Sequence, residues 1–183
     1  QKGKGGILKG IKRMLSGENF FLNHSTSSSD QQRLILGPAL IGDVISRDLN
    51  GESIIVQGSS WLASTGGIEL DTNWQGWGSA LFSGESIFWI NCSGAGTVLL
   101  NSFGGIYEVD VDGEYVVDTG HIVAFDDTLQ FTVGKASSSW ISSFLSGEGL
   151  VCRFKGVGKV YCQTHNPPDF GKALGPKLKP RQA

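Results

Sequence analysis

The sequence predicts an all-β chain built from one repeated structural unit, and three observations carry that expectation. A Ser-Gly-Glu motif followed by an apolar run occurs three times, with its glycine at Gly17, Gly84 and Gly147, spacings of 67 and 63 residues. A second motif shares the period: Asn50-Gly51-Glu52 leads to Gly58 as Asp112-Gly113-Glu114 leads to Gly120, and both glycine pairs lie 62 apart. The 183 residues also hold 27 glycines against five prolines, which fits many tight turns between short strands. Self-similarity at a fixed period is the mark of a repeat architecture.

Each element follows in order. Three short segments with apolar residues at near-helical spacing precede the Ser-Gly-Glu motifs: Ile7, Leu8, Ile11, Met14 and Leu15; Trp77, Ala80, Leu81 and Phe82; Trp140, Ile141, Phe144 and Leu145. They predict short helices, with helix confined mainly to these segments. Strands are expected over 86–92, 97–101, 106–111, 115–118, 122–125, 129–133, 150–154 and 160–164. Tyr107, Val109 and Val111 alternate with Glu108, Asp110 and Asp112, the period of a half-buried strand. Asn50-Gly51 and Asp112-Gly113 read as hairpin dipeptides, since a type I′ turn needs positive φ at both central residues. Gly94-Ala95-Gly96 and Gly156-Val157-Gly158 read as turns between apolar strands. The resulting organisation is one domain over 1–166: a partial first unit with linker (1–47), a second unit (48–109) and a third (110–166). A basic, proline-containing tail (167–183) follows. The second and third units should superpose, with Gly84 over Gly147 and Gly58 over Gly120.

Charge is segregated. All 17 acidic residues lie between Glu18 and Asp169. Nine of the 15 basic residues lie outside that span, so six remain within it and the body carries a formal −11 inside a net charge of −2. An acidic body does not suit wrapping by nucleic acid. The basic ends suit contact with an anionic surface, or serve only as solubilising tails. No apolar run approaches the roughly 18 residues of a membrane span, so a soluble protein is expected. It is assigned to the cytoplasm on the assumption of a prokaryotic source.

Familiar catalytic patterns are missing. The sequence has no GxxxxGK[ST], no GxGxxG after a strand and no GxSxG. His24, His121 and His165 form no metal-ligand spacing, and Cys92, Cys152 and Cys162 form no CxxC pair. The cysteines alternate with apolar residues and read as small core residues. Asp126-Asp127 reads as the cap of the turn before Thr128. No catalytic residue, metal or cofactor is expected, and the chain is not expected to be an enzyme. The candidate contacts are Glu18, Glu85 and Glu148, one per unit, which either serve a partner or fix the turn between helix and strand. Trp74 and Trp77, flanking Gly76, are a candidate contact patch.

Ser-Gly-Glu before an apolar strand, Gly94-Ala95-Gly96-Thr97-Val98, the run Val117-Asp118-Thr119-Gly120-His121-Ile122-Val123-Ala124-Phe125, and Gly147-Glu148-Gly149-Leu150-Val151-Cys152-Arg153-Phe154 together resemble the altered-inheritance-of-mitochondria 24 family. The resemblance runs to about Asn166. It implies three units like the trp RNA-binding attenuation protein, in the double-stranded β-helix class, with the first unit here incomplete. Eukaryotic members are tied to mitochondrial inner-membrane organisation, and the family supplies no catalytic residues to carry over.

The expected function is a non-enzymatic scaffold or interaction protein with an unknown protein partner. A nucleic-acid-binding module, by fold analogy, and a small-ligand binder are the alternatives. Small β units leave open edges and five tryptophans offer apolar area, so a closed homo-oligomer, a trimer, is expected.

Overall fold

The computed structural model describes residues 22–29, 31–72, 88–135 and 150–179. The chain divides into two compact parts, Gln1–Ile35 and Leu36–Ala183. In the first, the described residues form exposed turns in which the Gln32 side chain accepts from the Ser28 N–H (3.0 Å) and donates to Ser28 Oγ (2.9 Å).

The second part is one eight-stranded antiparallel sheet. In chain order its strands are β1 (Val44–Gln57), β2 (Trp61–Ser64), β3 (Ile68–Asp71), β4 (Trp89–Asn101), β5 (Ile106–Asp118), β6 (Ile122–Asp126), β7 (Gln130–Lys135) and β8 (Leu150–Gln163). The spatial order is β2-β4-β1-β6-β8-β5, with β3 also on β4 and β7 also on β8. Element order recurs between the halves: a long strand, a 3-10 turn (Gly58–Ser60; Thr119–His121), two short strands and a second long strand. In each half the two short strands line one edge of the second long strand, and the first long strand lines the other.

The long strands correct the sequence reading. Asn50-Gly51 and Asp112-Gly113 are not hairpin turns; they lie inside β1 and β5. Gly51 (φ +111°) and Gly113 (φ +109°) have positive φ but Asn50 and Asp112 do not, so a type I′ turn is not formed. The glycine triplets likewise lie inside β4 and β8, where Gly94 (φ +115°) and Gly156 (φ +124°) sit across from the Asx-Gly steps. Gly113 and Gly156 face each other and bend both strands together while the ladder continues, and at Gly51 the ladder resumes past a bulge, so what read as two short strands is one bent long one.

The repeat registers differ by one residue. Asn50 and Asp112, 62 apart, face Ala95 and Val157, also 62 apart. Beyond a bulge between Asn50 and Ser53 the offset on the first long strand drops to 61: Ile54 faces Cys92 as Tyr115 faces Phe154. The 3-10 turns therefore align Gly58 with Thr119 and Gly120 with Ser59, not Gly58 with Gly120. Their caps agree: Gln57 Oε1 accepts from Ser59 N–H (2.9 Å) and Asp118 Oδ1 from Gly120 N–H (2.8 Å). The pair Gly84 and Gly147 lies outside the described residues.

Apolar alternation sorts the core. Leu49, Ile54, Val56, Ile90, Cys92, Val98 and Leu100 are buried in the first half. In the second, Val111, Ile122, Phe125, Leu129, Cys152, Phe154, Val160 and Cys162 pack with Ile55 and Trp89 from the first. Phe125 touches Trp89, Phe131 and Phe154 at ring-centroid distances of 5.3, 5.0 and 4.9 Å. The halves are joined by β1 and β6, which pair Ile54 with Asp126, Ile55 with Phe125 and Val56 with Ala124.

The predicted lead-in helices fall outside the described residues. The one α-helix among the described residues, α1 (Pro167–Leu174), lies instead in the stretch read as a tail. Asn166 caps it and prolines fill its first turn, the local signal of a helix start. Phe170 anchors it on Phe103 (5.2 Å between ring centroids). Among the described residues no helix is long and apolar enough to cross a membrane.

Candidate functional site

The contact candidates Glu18, Glu85, Glu148, Trp74 and Trp77 lie outside the described residues. What the fold does bring together is a polar hub where the halves meet. Segment 41–43 runs parallel to 102–105, bridged at Gly42 and Gly104, and 103–105 runs beside 164–165. The Asp43 N–H donates to the Gly104 carbonyl (2.9 Å), the Ser102 N–H to Asp43 O (3.1 Å) and the His165 N–H to Phe103 O (3.1 Å). Asp43 Oδ2 accepts from the Ile106 N–H (3.0 Å).

Buried amides tie this hub to the 3-10 turns in the same way in both halves. Asn101 Nδ2 donates to Ser59 O (3.1 Å), and Gln163 Nε2 donates to Gly120 O (2.8 Å). Gln163 Oε1 also accepts from the Phe103 N–H (2.8 Å). His121 Nδ1 lies 2.8 Å from the Gln163 carbonyl. A carbonyl only accepts, so Nδ1 carries the proton in that bond. Asp118 Oδ1 takes both the Gly120 N–H and Asn166 Nδ2 (3.0 Å), which fastens the helix cap to the turn.

Close approach fixes the glycines. A Cβ on Gly42 would sit 2.0 Å from Ser102 O, and one on Gly104 (φ +80°) 2.0 Å from His165 Nδ1. The sequence reading missed this hub. Its signal was there: Ile41-Gly42-Asp43 and Phe103-Gly104-Gly105 lie 62 apart, at the repeat period.

Other titratable groups are engaged structurally. Asp126 Oδ2 accepts from the Lys159 N–H (2.9 Å), and its own carbonyl accepts from the Leu129 N–H (3.1 Å). The carboxylate is thus spent on β8, while the turn before Thr128 is closed by the main chain. The acids of β5 face outward: Glu108 and Asp110 lie 2.5 and 3.8 Å from Lys159 Nζ, and Glu114 2.6 Å from Lys155 Nζ. The bond from Lys155 holds Glu114 below the usual carboxylate range, and the bond to Glu108 raises Lys159. All three cysteines are free and buried. Burial pushes the Cys92 and Cys152 thiols up to about 12, and raises Cys162 against the opposing hydrogen bonds of Tyr107 and Tyr115. Such thiols do not supply a thiolate nucleophile at neutral pH. Among the described residues no group of three or more His, Cys, Asp or Glu is placed to hold a metal ion.

Residues 1–165 match the family model described as Mitochondrial biogenesis AIM24. The chain belongs to the AIM24 family. An uncharacterized protein of Streptococcus pyogenes serotype M6, M6_Spy0233, is 31% identical over 175 residues, covering 94% of this chain and 70% of that protein. The crystal structure of protein SPYM3_0169 from Streptococcus pyogenes, a structural-genomics target, matches with a TM-score of 0.74 at 26% identity. That match covers 96% of this chain and 79% of the other. The AIM24 likeness is thus one of sequence and of β architecture together.

Proposed function

We propose that this AIM24 chain is a non-enzymatic scaffold that binds a protein partner and assembles as a closed homo-oligomer, a trimer, in the bacterial cytoplasm. Its fold is read as three units like the trp RNA-binding attenuation protein, the first incomplete, spanning 1–166. The recurrence of element order and of the Asn101 and Gln163 bonds between the two described halves supports that reading.

The observation that carries the scaffold reading is where the polar groups are spent. Asn101, Asp118, His121, Asp126 and Gln163 all hold main-chain groups of turns and strand ends. Groups committed to the backbone build a rigid frame and are poorly placed to move protons or bind a reacting atom. Tagged full-length protein, captured from its native host, should retain one partner in fixed stoichiometry through size exclusion. Turnover of a substrate that is lost on mutating a cluster of this chain's residues would refute the reading. Salt-dependent RNA or DNA retention on filters would transfer it to the nucleic-acid alternative.

A further inference from the structure

We propose that a second copy of this chain adds its β2 to the outer edge of β5, repeating between chains the β1–β6 junction found within the chain. The proposal deepens the scaffold reading and rests on its self-association. It starts from the register correspondence. The β1–β6 junction pairs Ile54, Ile55 and Val56 with Asp126, Phe125 and Ala124. Past the bulge the first long strands correspond at an offset of 61, so Ile54–Val56 map onto Tyr115, Val116 and Val117. The short strands share that offset: Trp61, Ala63 and Ser64 face Leu100, Leu99 and Val98, as Ile122, Ala124 and Phe125 face Cys162, Tyr161 and Val160. Ala124–Asp126 therefore map onto Ala63, Ser64 and Thr65.

Both mapped edges lack a ladder partner among the described residues: β5 pairs only β8, and β2 only β4. Burial shows the difference. Ile55 is fully buried, because it points away from Ile54 and Val56 into the core of the other half. Its counterpart Val116 is 45% exposed, while Tyr115 and Val117 on either side pack on their own core. Val116 is thus an exposed apolar residue in a row whose other exposed members are Glu108, Asp110, Asp112 and Glu114, with half-buried Ile106 and Asp118 at its ends. On the opposing edge, fully buried Phe125 corresponds to half-exposed Ser64. Each half is built to take a neighbour's strand along one edge and insert its own along the other. Among the described residues this happens once, at the β1–β6 junction. An edge strand with outward main-chain groups is a template for the same event between chains. Two unlike edges make a head-to-tail contact, which propagates until a ring closes.

One feature of the internal junction is not repeated. Arg47 and Asp126 face each other across it at 4.0 Å, whereas their counterparts are Val109 and Thr65. The contact between copies rests on main-chain bonds and Val116, so it should survive salt.

The test uses the full chain at tens of micromolar concentration. Light scattering should give a multiple of the 19.5 kDa chain mass in both 0.1 and 1 M salt. The Val116→Lys variant, at an exposed position, should fall to the single-chain mass with unchanged circular dichroism. Oxidising a mixture of Val116→Cys and Ser64→Cys proteins should give a disulfide-linked heterodimer, which neither gives alone. Facing Cα atoms of an antiparallel pair lie about 4.5–5.5 Å apart, within disulfide reach. A wild-type assembly that Val116→Lys leaves intact, with no cross-link in the mixture, overturns the edge pairing and leaves self-association standing. A wild-type chain at 19.5 kDa overturns both.

Discussion

At Cys92, Cys152 and Cys162 the side chain is a small apolar filler whose ionisation the fold resists. Free thiols ionise near pH 8.5, whereas burial holds Cys92 and Cys152 up to about 12. Between those values the unfolded chain has given up protons that the folded chain keeps, so stability falls as pH rises from about 8.5. We expect the denaturant midpoint to decline through pH 9–10, and the decline to shrink in a Cys92→Ala, Cys152→Ala double variant. An aromatic disulfide reagent should label none of the three in native buffer and all three in denaturant. A second residue-scale expectation concerns the hub. Gly104→Ala combines a positive φ with a near contact on His165 and should cost about 1–3 kcal/mol. Gly171→Ala, in α1 with open space around its Cα, should be neutral or stabilise by up to about 1 kcal/mol. Paired urea titrations compare them.

Among elements, the junction strand β6 carries the most. Phe125 is fully buried between Trp89 of the first half and Phe131 and Phe154 of the second. Phe125→Ala should cost about 3–5 kcal/mol by urea denaturation. Val116→Ala, at the corresponding open edge, should stay within about 0.5 kcal/mol if measured on single chains. The sequence made the strand content, the acidic outer row of β5 and the 62-residue period legible, because alternation and turn glycines are local signals. It misread the Asx-Gly steps because a positive-φ glycine serves a hairpin and a bend in a long strand equally well. Only the strand across from it decides, and that partner lies about 40 residues away, as Gly156 does from Gly113. The one-residue bulge in β1 was hidden for the same reason: a glycine 62 from its counterpart cannot show that the register slipped in between. The helix over 167–174 was written locally in Asn166-Pro167-Pro168-Asp169, but composition obscured it. The candidate contacts at Glu18, Glu85 and Glu148 were legible as a repeat, while the hub was not, since its bonds join residues some 60 apart to one another's main chain.

The eight described strands form one continuous sheet, and the second core borrows Ile55 and Trp89 from the first half. That coupling predicts one cooperative transition: far-ultraviolet circular dichroism and tryptophan fluorescence should trace the same urea curve, and two separated transitions would refute it. The junction that couples the halves also sets an order of events on the ribosome. β1 finds its partner β4 once Asn101 has emerged, but the edge at Ile54–Val56 stays bare until Asp126 follows. At about 5–20 residues per second, those 25 residues take on the order of 1–5 s. Through that interval a nascent chain offers both an acceptor edge on β1 and a donor edge on β2. Neighbouring nascent chains on one message would then hold matching edges at high local density. Slow codons placed so that translation pauses after Asn101 has emerged and before Asp126 has should lengthen the exposure and raise the insoluble fraction, whereas a pause after Asp126 has emerged should leave the yield unchanged.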